Sequence, residues 1–336
     1  MDVALITDTI SEAWAGFVRQ HPAAAWYHDP GWGAVMRASY GLRSMTAEIR
    51  HNGQLAGGVL LVGCPRIPIG WRLIAGPFLA SGGLLLGGGV DRGDAERALL
   101  AAVRKAGYGT VELREREPAS VPGSGDLVTM VLALPEMAEA LWTDLDPKVR
   151  NQVRKGQKSG LSVVRGREHA QAFWEIYARH QLAHGTPTHG AAFFRAIVDV
   201  FPENSEVLLV RKGDAIVGGM IAYHGHGAFV ALNACSLRDY NALCVNHFLY
   251  WEALTLAIAC GAKAFDFGRS VFGSGTFDFK KQWGAAPVRL RYVDLGRGPV
   301  AAPTESDGLK TAANVWAKLP AGLANRLGPR VRPYLA

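Results

Sequence analysis

The segment Phe265–Gly284 holds the densest set of residues that could do chemistry, with the sequence FDFGRSVFGSGTFDFKKQWG. It leaves a predicted strand at Asp266, turns through Gly268-Arg269-Ser270 and reaches Phe279-Lys280-Lys281. Polar residues just past the carboxyl end of a strand, followed by glycine, are where α/β proteins place ligand sites. The charge of a lysine that lies among aromatic residues interacts more strongly with neighbouring groups than the charge of a lysine in water. We therefore favour a functional site here over a plain connection with surface lysines.

A second distinctive stretch, Pro147–Arg167, carries cations and no acidic residue. Its cations are Lys148, Arg150, Arg154, Lys155, Lys158, Arg165 and Arg167. Asp146-Pro147 is a helix-start signal, so Lys148–Lys158 is predicted to be a basic helix. A solvated helix face normally mixes both signs of charge. The acid-free run slightly favours contact with phosphate over an ordinary solvated face.

Composition limits the class of protein. The chain has 336 residues, of which 49% are apolar and 19% charged, and its formal net charge is +7. This length and apolar content can build one large or two medium domains, and they exclude disorder, collagen and coiled coil for the whole chain. The basic balance favours anionic partners such as nucleic acid, phosphorylated substrates or an acidic membrane face.

Two uncharged runs, Leu73–Val90 and Ala215–Leu237, are not expected to cross a membrane. The first is rich in glycine, and Gly225-His226-Gly227 divides the second into two strand-like halves. The N-terminal residues MDVALITDTI lack the basic start of a signal peptide. We therefore expect a soluble, cytoplasmic protein.

The sequence shows no recognisable metal or nucleophile motif. The cysteines at positions 64, 235, 244 and 260 form no CxxC pair, and we expect them to be reduced thiols and not a zinc site. His180 and His184 are four residues apart on a predicted helix but have no evident carboxylate partner nearby. We expect no metal. The loop Gly185–His189, GTPTH, is either functional or an ordinary connector.

The order of predicted elements indicates an internal duplication. The glycine-containing turn of Gly53–Gly58 resembles that of Gly213–Gly219. The helix-to-strand passage Gly107–Leu113 matches Gly261–Phe267, 154 positions later. Because the surrounding helices and strands follow in the same order, we predict an α/β fold built from two copies of one domain.

Three runs taken together resemble the FemAB-like family, and more narrowly its members associated with exosortase/PEP-CTERM loci. They are LWTDLDPKVRNQVRKGQKSGL, the GTPTH loop with the following AAFFRAIVDVFP, and FDFGRSVFGSGTFDFKKQWGA. The resemblance covers most of the chain and implies two tandem GNAT-like domains. With the duplication, it predicts an N-terminal domain at residues 1–146, a C-terminal domain at 147–298 and a basic Pro/Gly-containing tail at 299–336.

The resemblance implies an acyltransferase and assigns its reaction centre. Studied members transfer an amino acid from aminoacyl-tRNA to an amine of a peptidoglycan precursor, and their reaction centre maps onto Phe279-Lys280 here. Asp266 is expected to orient Arg269 or the acceptor amine, or else to form a structural ion pair. If the segment is extended, Lys281 points away from Lys280 and acts on substrate phosphates. The expected substrate-binding residues are Arg269, Ser270, Lys281, Thr186, His189, Arg150, Arg154, Lys155 and Lys158.

The sequence does not identify the acyl donor or the amine acceptor. After the strand ending near Cys235, residues 236–241 contain no glycine, so the glycine-rich turn that binds acetyl-CoA in ordinary GNAT enzymes is missing. We expect no permanently bound cofactor, with aminoacyl-tRNA or acyl-CoA as co-substrate and a cell-envelope precursor as acceptor. The alternatives are an acyl-CoA-dependent N-acyltransferase for a sugar amine in exopolysaccharide assembly, and a non-catalytic scaffold whose basic tail contacts the inner membrane.

Overall fold

The computed structural model describes residues 1–66, 70–300 and 307–336 as alternating strands and helices. The strands are β1 (Asp2–Thr7), β2 (Ser44–His51), β3 (Gln54–Pro65), β4 (Trp71–Ala75), β5 (Leu85–Leu86), β6 (Val111–Glu117), β7 (Leu127–Ala133), β8 (Leu161–Arg165), β9 (Ser205–Lys212), β10 (Ala215–Gly225), β11 (Ala228–Ser236), β12 (Ala264–Val271), β13 (Ala286–Asp294) and β14 (Gly298–Pro299). The helices are α1 (Glu12–Gln20), α2 (Gly31–Tyr40), α3 (Arg92–Lys105), α4 (Ala138–Asp144), α5 (Pro147–Lys158), α6 (Ala170–Ala183), α7 (Ala191–Val200), α8 (Val245–Ala259), α9 (Gly275–Lys281), α10 (Asp307–Ala317) and α11 (Ala321–Val331). No helix among the described residues is long and apolar enough to span a bilayer.

Side-chain caps fix the starts of three helices. The Ser11 hydroxyl accepts a hydrogen bond from Trp14 N at 3.1 Å and caps α1. Asp91 caps α3, and Asp146 caps α5 by accepting from Lys148 N at 2.6 Å. Each cap satisfies a backbone N–H that has no partner inside its own helix. The basic helix predicted at Lys148–Lys158 is therefore confirmed.

The chain forms two compact units with the same sheet topology. The first unit comprises Met1–Val121, Arg289–Pro303 and Pro333–Ala336, and the second comprises Pro122–Val288 and Thr304–Arg332. In the first unit the strand order is β1-β2-β3-β4-β6-β13, and in the second it is β8-β9-β10-β11-β12-β7. In each order the fourth and fifth strands are parallel and every other neighbouring pair is antiparallel. This identity of order is what a duplicated domain produces.

The last strand of each sheet comes from the other half of the sequence. Strand β7 follows β6 in the chain but pairs with β12, whereas the Arg289–Asp294 part of β13 follows β12 but pairs with β6. This exchange explains why the first unit is discontinuous. The boundary predicted at residue 146 lies inside the second unit.

A glycine lets a helix approach the third strand of each sheet closely. A Cβ on Gly58 would lie 2.9 Å from the Trp14 ring of α1 and 2.6 Å from Ala47 O. A Cβ on Gly219 would lie 3.1 Å from the Phe173 ring of α6 and 2.8 Å from Leu208 O. Gly58 and Gly219 end the two glycine-containing turns that suggested a duplication, and they have the same packing role.

The C-terminal segment was predicted only as a tail. Residues 301–306 lie outside the described residues. Beyond them, α10 and α11 belong to the second unit, and Pro333–Ala336 belongs to the first. A Cβ on Gly328 of α11 would lie 2.9 Å from Thr188 N, which shows how closely α11 approaches the GTPTH loop. The sequence analysis gave no helix here because Pro and Gly interrupt the pattern, and Pro329 lies within α11.

We expect Gly219→Ala to destabilise the protein by about 1–3 kcal/mol, because the added methyl overpacks the sheet against Phe173. The midpoint of urea unfolding measures the change. Gly109→Ala is the matched control, since nothing lies within 4 Å of its Cβ position. Equal midpoints for Gly219→Ala and wild type would contradict the close approach of α6.

Candidate active site

The parallel strands of the second unit, β11 and β12, pair only over a short stretch. Their register runs from Ala228 opposite Ala264 to Val230 opposite Asp266. Beyond that point the pairing of β12 with β7 shifts between Asp266 and Arg269, and Gly268 takes a positive φ of 75°. Glycine adopts this left-handed conformation without the strain that a side chain would add. The bulge makes main-chain carbonyls of β12 available to side chains.

Asp266 holds this bulge in place. Its side chain is 1% exposed and accepts hydrogen bonds from Thr129 Oγ1 at 2.5 Å and from Gly268 N at 2.8 Å. Two donors stabilise a buried carboxylate that would otherwise be costly to desolvate. Asp266 therefore positions the backbone that the lysine of the site binds.

Helix α9 carries that lysine, Lys280. Ser274 caps α9 by accepting from Phe277 N at 3.3 Å, and Phe277 and Lys280 share its buried face. Lys281 is exposed, and its Nζ lies 6.0 Å from the centre of the Phe277 ring. The extended backbone on which that expectation for Lys281 was conditional does not occur, because Gly275–Lys281 is helical. The helix nevertheless separates the two lysines, because consecutive residues of a helix point about 100° apart.

The Lys280 ammonium is buried without a carboxylate in hydrogen-bond contact. Its Nζ donates to Gly268 O at 2.9 Å and to Arg269 O at 2.8 Å. Burial lowers the pKa of Lys280 to about 8, against the opposing effect of the nearby Asp266 charge. An ammonium has three N–H donors, and the third has no partner among the described residues. Lys280 is 8% exposed and lines neither of the two cavities to which α9 contributes side chains.

A cavity of about 230 Å³ lies at the N-terminus of α8. It is lined by Gln152, Asn241, Cys244, Val245, Asn246, His247 and Phe279. No side chain caps α8, so N–H groups of its first turn stay available to an anion. Burial and the Lys148 charge lower the pKa of His247, against the opposing effect of its hydrogen bond with Gln282. Sequence reasoning missed this cavity because it looked for a glycine-rich turn, and a 3₁₀ helix at Arg238–Leu243 leads into α8 instead.

A second cavity, of about 540 Å³, borders α9. It is lined by Asp144, Leu145, Asp146, Asp278, Lys281, Gln282, Trp283 and Gly284. The Asp residues make it acidic, whereas the first cavity presents helix N–H groups. Gln282 lines the acidic cavity, and its Nε2 lies 3.3 Å from His247 Nε2 of the first cavity. Helix α9 thus contributes side chains to two cavities of different polarity.

Two buried polar atoms near Lys280 lack a hydrogen-bond partner among the described residues. They are Ser270 Oγ, on β12, and Trp283 Nε1, just after α9. Such groups are costly to bury and are usually satisfied in native structures. A substrate with polar atoms is one way to satisfy them. Arg269, between Gly268 and Ser270, has an exposed side chain.

The basic helix α5 divides into a structural and an exposed part. Arg150 Nη1 donates to Thr143 O at 3.1 Å and so links α5 to the end of α4. Arg154 packs over the Trp142 ring at 5.3 Å but is exposed, as are Lys155 and Lys158. The exposed cations can meet an anionic partner, whereas Arg150 has a packing role as well.

Thr186 and His189 belong to a different cluster, formed by the GTPTH loop, α6, α7 and α11. His189 is 1% exposed, stacks on Phe193 at 4.3 Å and accepts a hydrogen bond from Arg332 Nε at 3.2 Å. Burial and the Arg332 charge keep its pKa well below the ordinary value. The Thr186 hydroxyl donates to His184 O at 3.4 Å. This cluster packs against α11, and it includes none of the residues described around Lys280.

The corresponding strand position in the first unit carries an ion pair. Glu112 stands where the second unit has Asp266, and it forms a buried ion pair with Arg114 at 2.8 Å. Arg114 N donates to Gly82 O at 2.6 Å, and its side chain donates to Gly76 O at 3.2 Å. These contacts engage Arg114 with the first unit's own chain, and Glu112 also lines a cavity of about 230 Å³ in that unit.

The comparisons with known proteins identify a domain family within the second unit. Residues 147–281, which include the basic helix and α9, match the family model described as an acetyltransferase (GNAT) domain. That stretch is a GNAT-type domain. The chain is accordingly an acyltransferase, and the non-catalytic scaffold is set aside. None of the curated proteins compared with the chain matches it.

Solved structures confirm the predicted fold of two tandem GNAT-like domains. FemX is 15% identical with a TM-score of 0.59, covering 86% of this chain and 96% of its own. A tandem GNAT protein of the clavulanic acid biosynthesis pathway is 12% identical with a TM-score of 0.52, covering 90% and 100%. The C-terminal domain of a putative lysylphosphatidylglycerol synthetase from Agrobacterium fabrum is 12% identical with a TM-score of 0.50, covering 95% of each chain.

We expect the GNAT unit to gain stability as the pH rises above 8, through Lys280. The folded pKa is about 8, whereas an unfolded lysine titrates near ~10.4. Between these values the unfolded chain binds more protons, so the free energy of unfolding increases with pH. Urea unfolding of wild type and Lys280→Met at several pH values from neutral to alkaline measures this contribution as a difference. Parallel pH dependences in the two proteins would contradict the buried, charged Lys280.

Proposed function

We propose that this acyltransferase moves an activated acyl or aminoacyl group from an anionic donor to an amine of a cell-envelope precursor. The observation that carries the proposal is the buried Lys280 ammonium, which has one N–H left for a substrate oxygen. Helix α9 holds this group and contributes side chains to both cavities. An anionic donor suits the first cavity, and an amine suits the acidic one.

The reaction follows from this geometry. The acceptor nitrogen attacks the donor carbonyl carbon, and the carbonyl oxygen becomes negative. The third N–H of Lys280 donates to that oxygen and stabilises its charge in a dry setting. The intermediate collapses to an amide, and the donor's leaving group departs with its bonding electrons and takes up the proton that the amine loses. Positioning and charge stabilisation supply the catalysis, so no covalent enzyme intermediate is needed.

Aminoacyl-tRNA is the donor that the surface of α5 favours. Arg154, Lys155 and Lys158 are exposed on a helix free of acidic residues, a pattern suited to a phosphate backbone. Acyl-CoA is the second candidate, because the cavity at the N-terminus of α8 suits a compact phosphate group. The resemblance to members associated with exosortase/PEP-CTERM loci supports an acceptor in peptidoglycan or exopolysaccharide assembly.

Parallel assays with radiolabelled aminoacyl-tRNA and acyl-CoA, each with an amine acceptor, test the donor and the centre together. We expect Lys280→Ala to lose about 10²–10³-fold in turnover while still binding the donor, because one stabilising donor of the oxyanion is removed. Lys281→Ala is the matched control and should keep most turnover. Near wild-type turnover in Lys280→Ala would show that the reaction centre lies elsewhere.

The tRNA assignment has its own test in salt dependence. Replacing Arg154, Lys155 and Lys158 with Gln should reduce the slope of log affinity against log salt by about 0.7–0.9 for each phosphate that the variant no longer neutralises. Lys318→Gln removes an exposed cation that follows α10 and serves as the control. Fluorescence anisotropy of labelled tRNA gives both affinities. An affinity that does not change with salt, or equal slopes in the two variants, argues against tRNA on this face.

A further inference from the structure

Three metal-binding side chains converge in the second unit, apart from the residues around Lys280. Glu206 lies in β9, His224 in β10, and Cys260 is the C-terminal cap of α8. Their ligand atoms all lie within 4.8 Å of one another. The Glu206 carboxylate is 3.9 Å from His224 Nε2. The proposed acyl transfer uses none of these residues.

The fold brings them together in a defined way. Glu206 pairs with Ala222 across the antiparallel β9–β10 ladder, so His224, two residues on, shares its face of the sheet. Asn204 holds the His224 backbone on both sides: its carbonyl accepts from His224 N at 2.7 Å, and its Nδ2 donates to His224 O at 2.8 Å. Helix α8 packs against both strands and ends at Cys260. Secondary structure and main-chain contacts therefore position all three groups.

The set of donor atoms suits zinc. Zinc binds thiolate sulfur at about 2.3 Å, imidazole nitrogen at about 2.0–2.1 Å and carboxylate oxygen at about 2.0–2.2 Å, in a tetrahedral arrangement. Such a tetrahedron places its ligand atoms about 3.3–3.8 Å apart. The observed separation of 3.9 Å between His224 and Glu206 needs only small side-chain movements. Cys260 is exposed, which leaves solvent access for a fourth ligand.

We propose that Glu206, His224 and Cys260 form a zinc(II) site that ties the end of α8 to β9 and β10, with water as the fourth ligand. On binding, the Cys260 thiol releases one proton to solvent and a Zn–S bond forms. His224 binds through Nε2 as neutral imidazole, and Glu206 binds as carboxylate. The sequence concealed this site because the residues lie far apart, in two strands and a helix cap.

Zinc(II) and cobalt(II) titrations of the full chain, after chelator treatment, test the site. Cys260 is the exposed cysteine, whereas Cys64, Cys235 and Cys244 are buried. A thiol reagent therefore reports on it selectively. We expect one equivalent of zinc to bind and to slow the thiol reaction at least roughly tenfold, and cobalt to give a thiolate-to-metal charge-transfer band. Cys260→Ser and His224→Ala should each weaken zinc binding by roughly tenfold or more.

His169→Ala is the matched control, because His169 lies 3.7 Å from a carboxylate oxygen of Glu168 but belongs to no three-residue cluster among the described residues. It should bind zinc as wild type does. Failure of wild type to bind zinc, a cobalt complex without the thiolate band, or equal affinities in Cys260→Ser and wild type would each overturn the proposal. The last two results would indicate an adventitious metal only. Acyl transfer is assayed separately, so loss of this site and failure of the proposed function are distinguishable.

Discussion

A buried ammonium bound by two main-chain carbonyls is the interaction on which the candidate site depends. Taking Lys280 out of water is costly unless its hydrogen bonds are replaced, and Gly268 O and Arg269 O replace two of them. Those carbonyls are available only because β12 bulges at Gly268, and Asp266 holds the bulge. The charge, the bulge and the buried carboxylate therefore require one another. The acyl transfer that we propose uses the remaining N–H of this ammonium.

The two units show how one topology supports two outcomes. In the first, the acid at the equivalent strand position pairs with a neighbouring arginine, which also donates to Gly76 O and Gly82 O. In the second, the acid accepts from Thr129 and Gly268, which leaves Lys280 to bind carbonyls. A paired charge stabilises structure, whereas a charge with an unused donor can bind a substrate. The two units thus share a strand order, but they differ in the charged residues that surround the equivalent acid.

Local sequence signals predicted much of the fold. The remaining features depend on long-range packing, which those signals do not show. Asp146-Pro147 predicted the start of α5, and the Gly-Gly pairs pointed to the duplication. Lys280 was found through its aromatic neighbours, but its short helix was not, because seven residues show little periodicity. His247 and the proposed zinc ligands were missed because only strand pairing and helix packing assemble their surroundings. Thr186 drew attention through loop composition, which does not reveal that the neighbouring His189 is buried under α11.

The exchanged strands also constrain how the protein is made. The first sheet needs residues 289–294, so β6 has no antiparallel partner from β13 until nearly the whole second unit has been synthesised. An unpaired strand edge is a template for association with other chains. Pairing across such a long separation in sequence is slow, since loop closure precedes any gain from the contact. On the ribosome, the N-terminal unit is therefore the first to emerge and among the last to be completed, and its exposed β6 edge is where a chaperone would be needed.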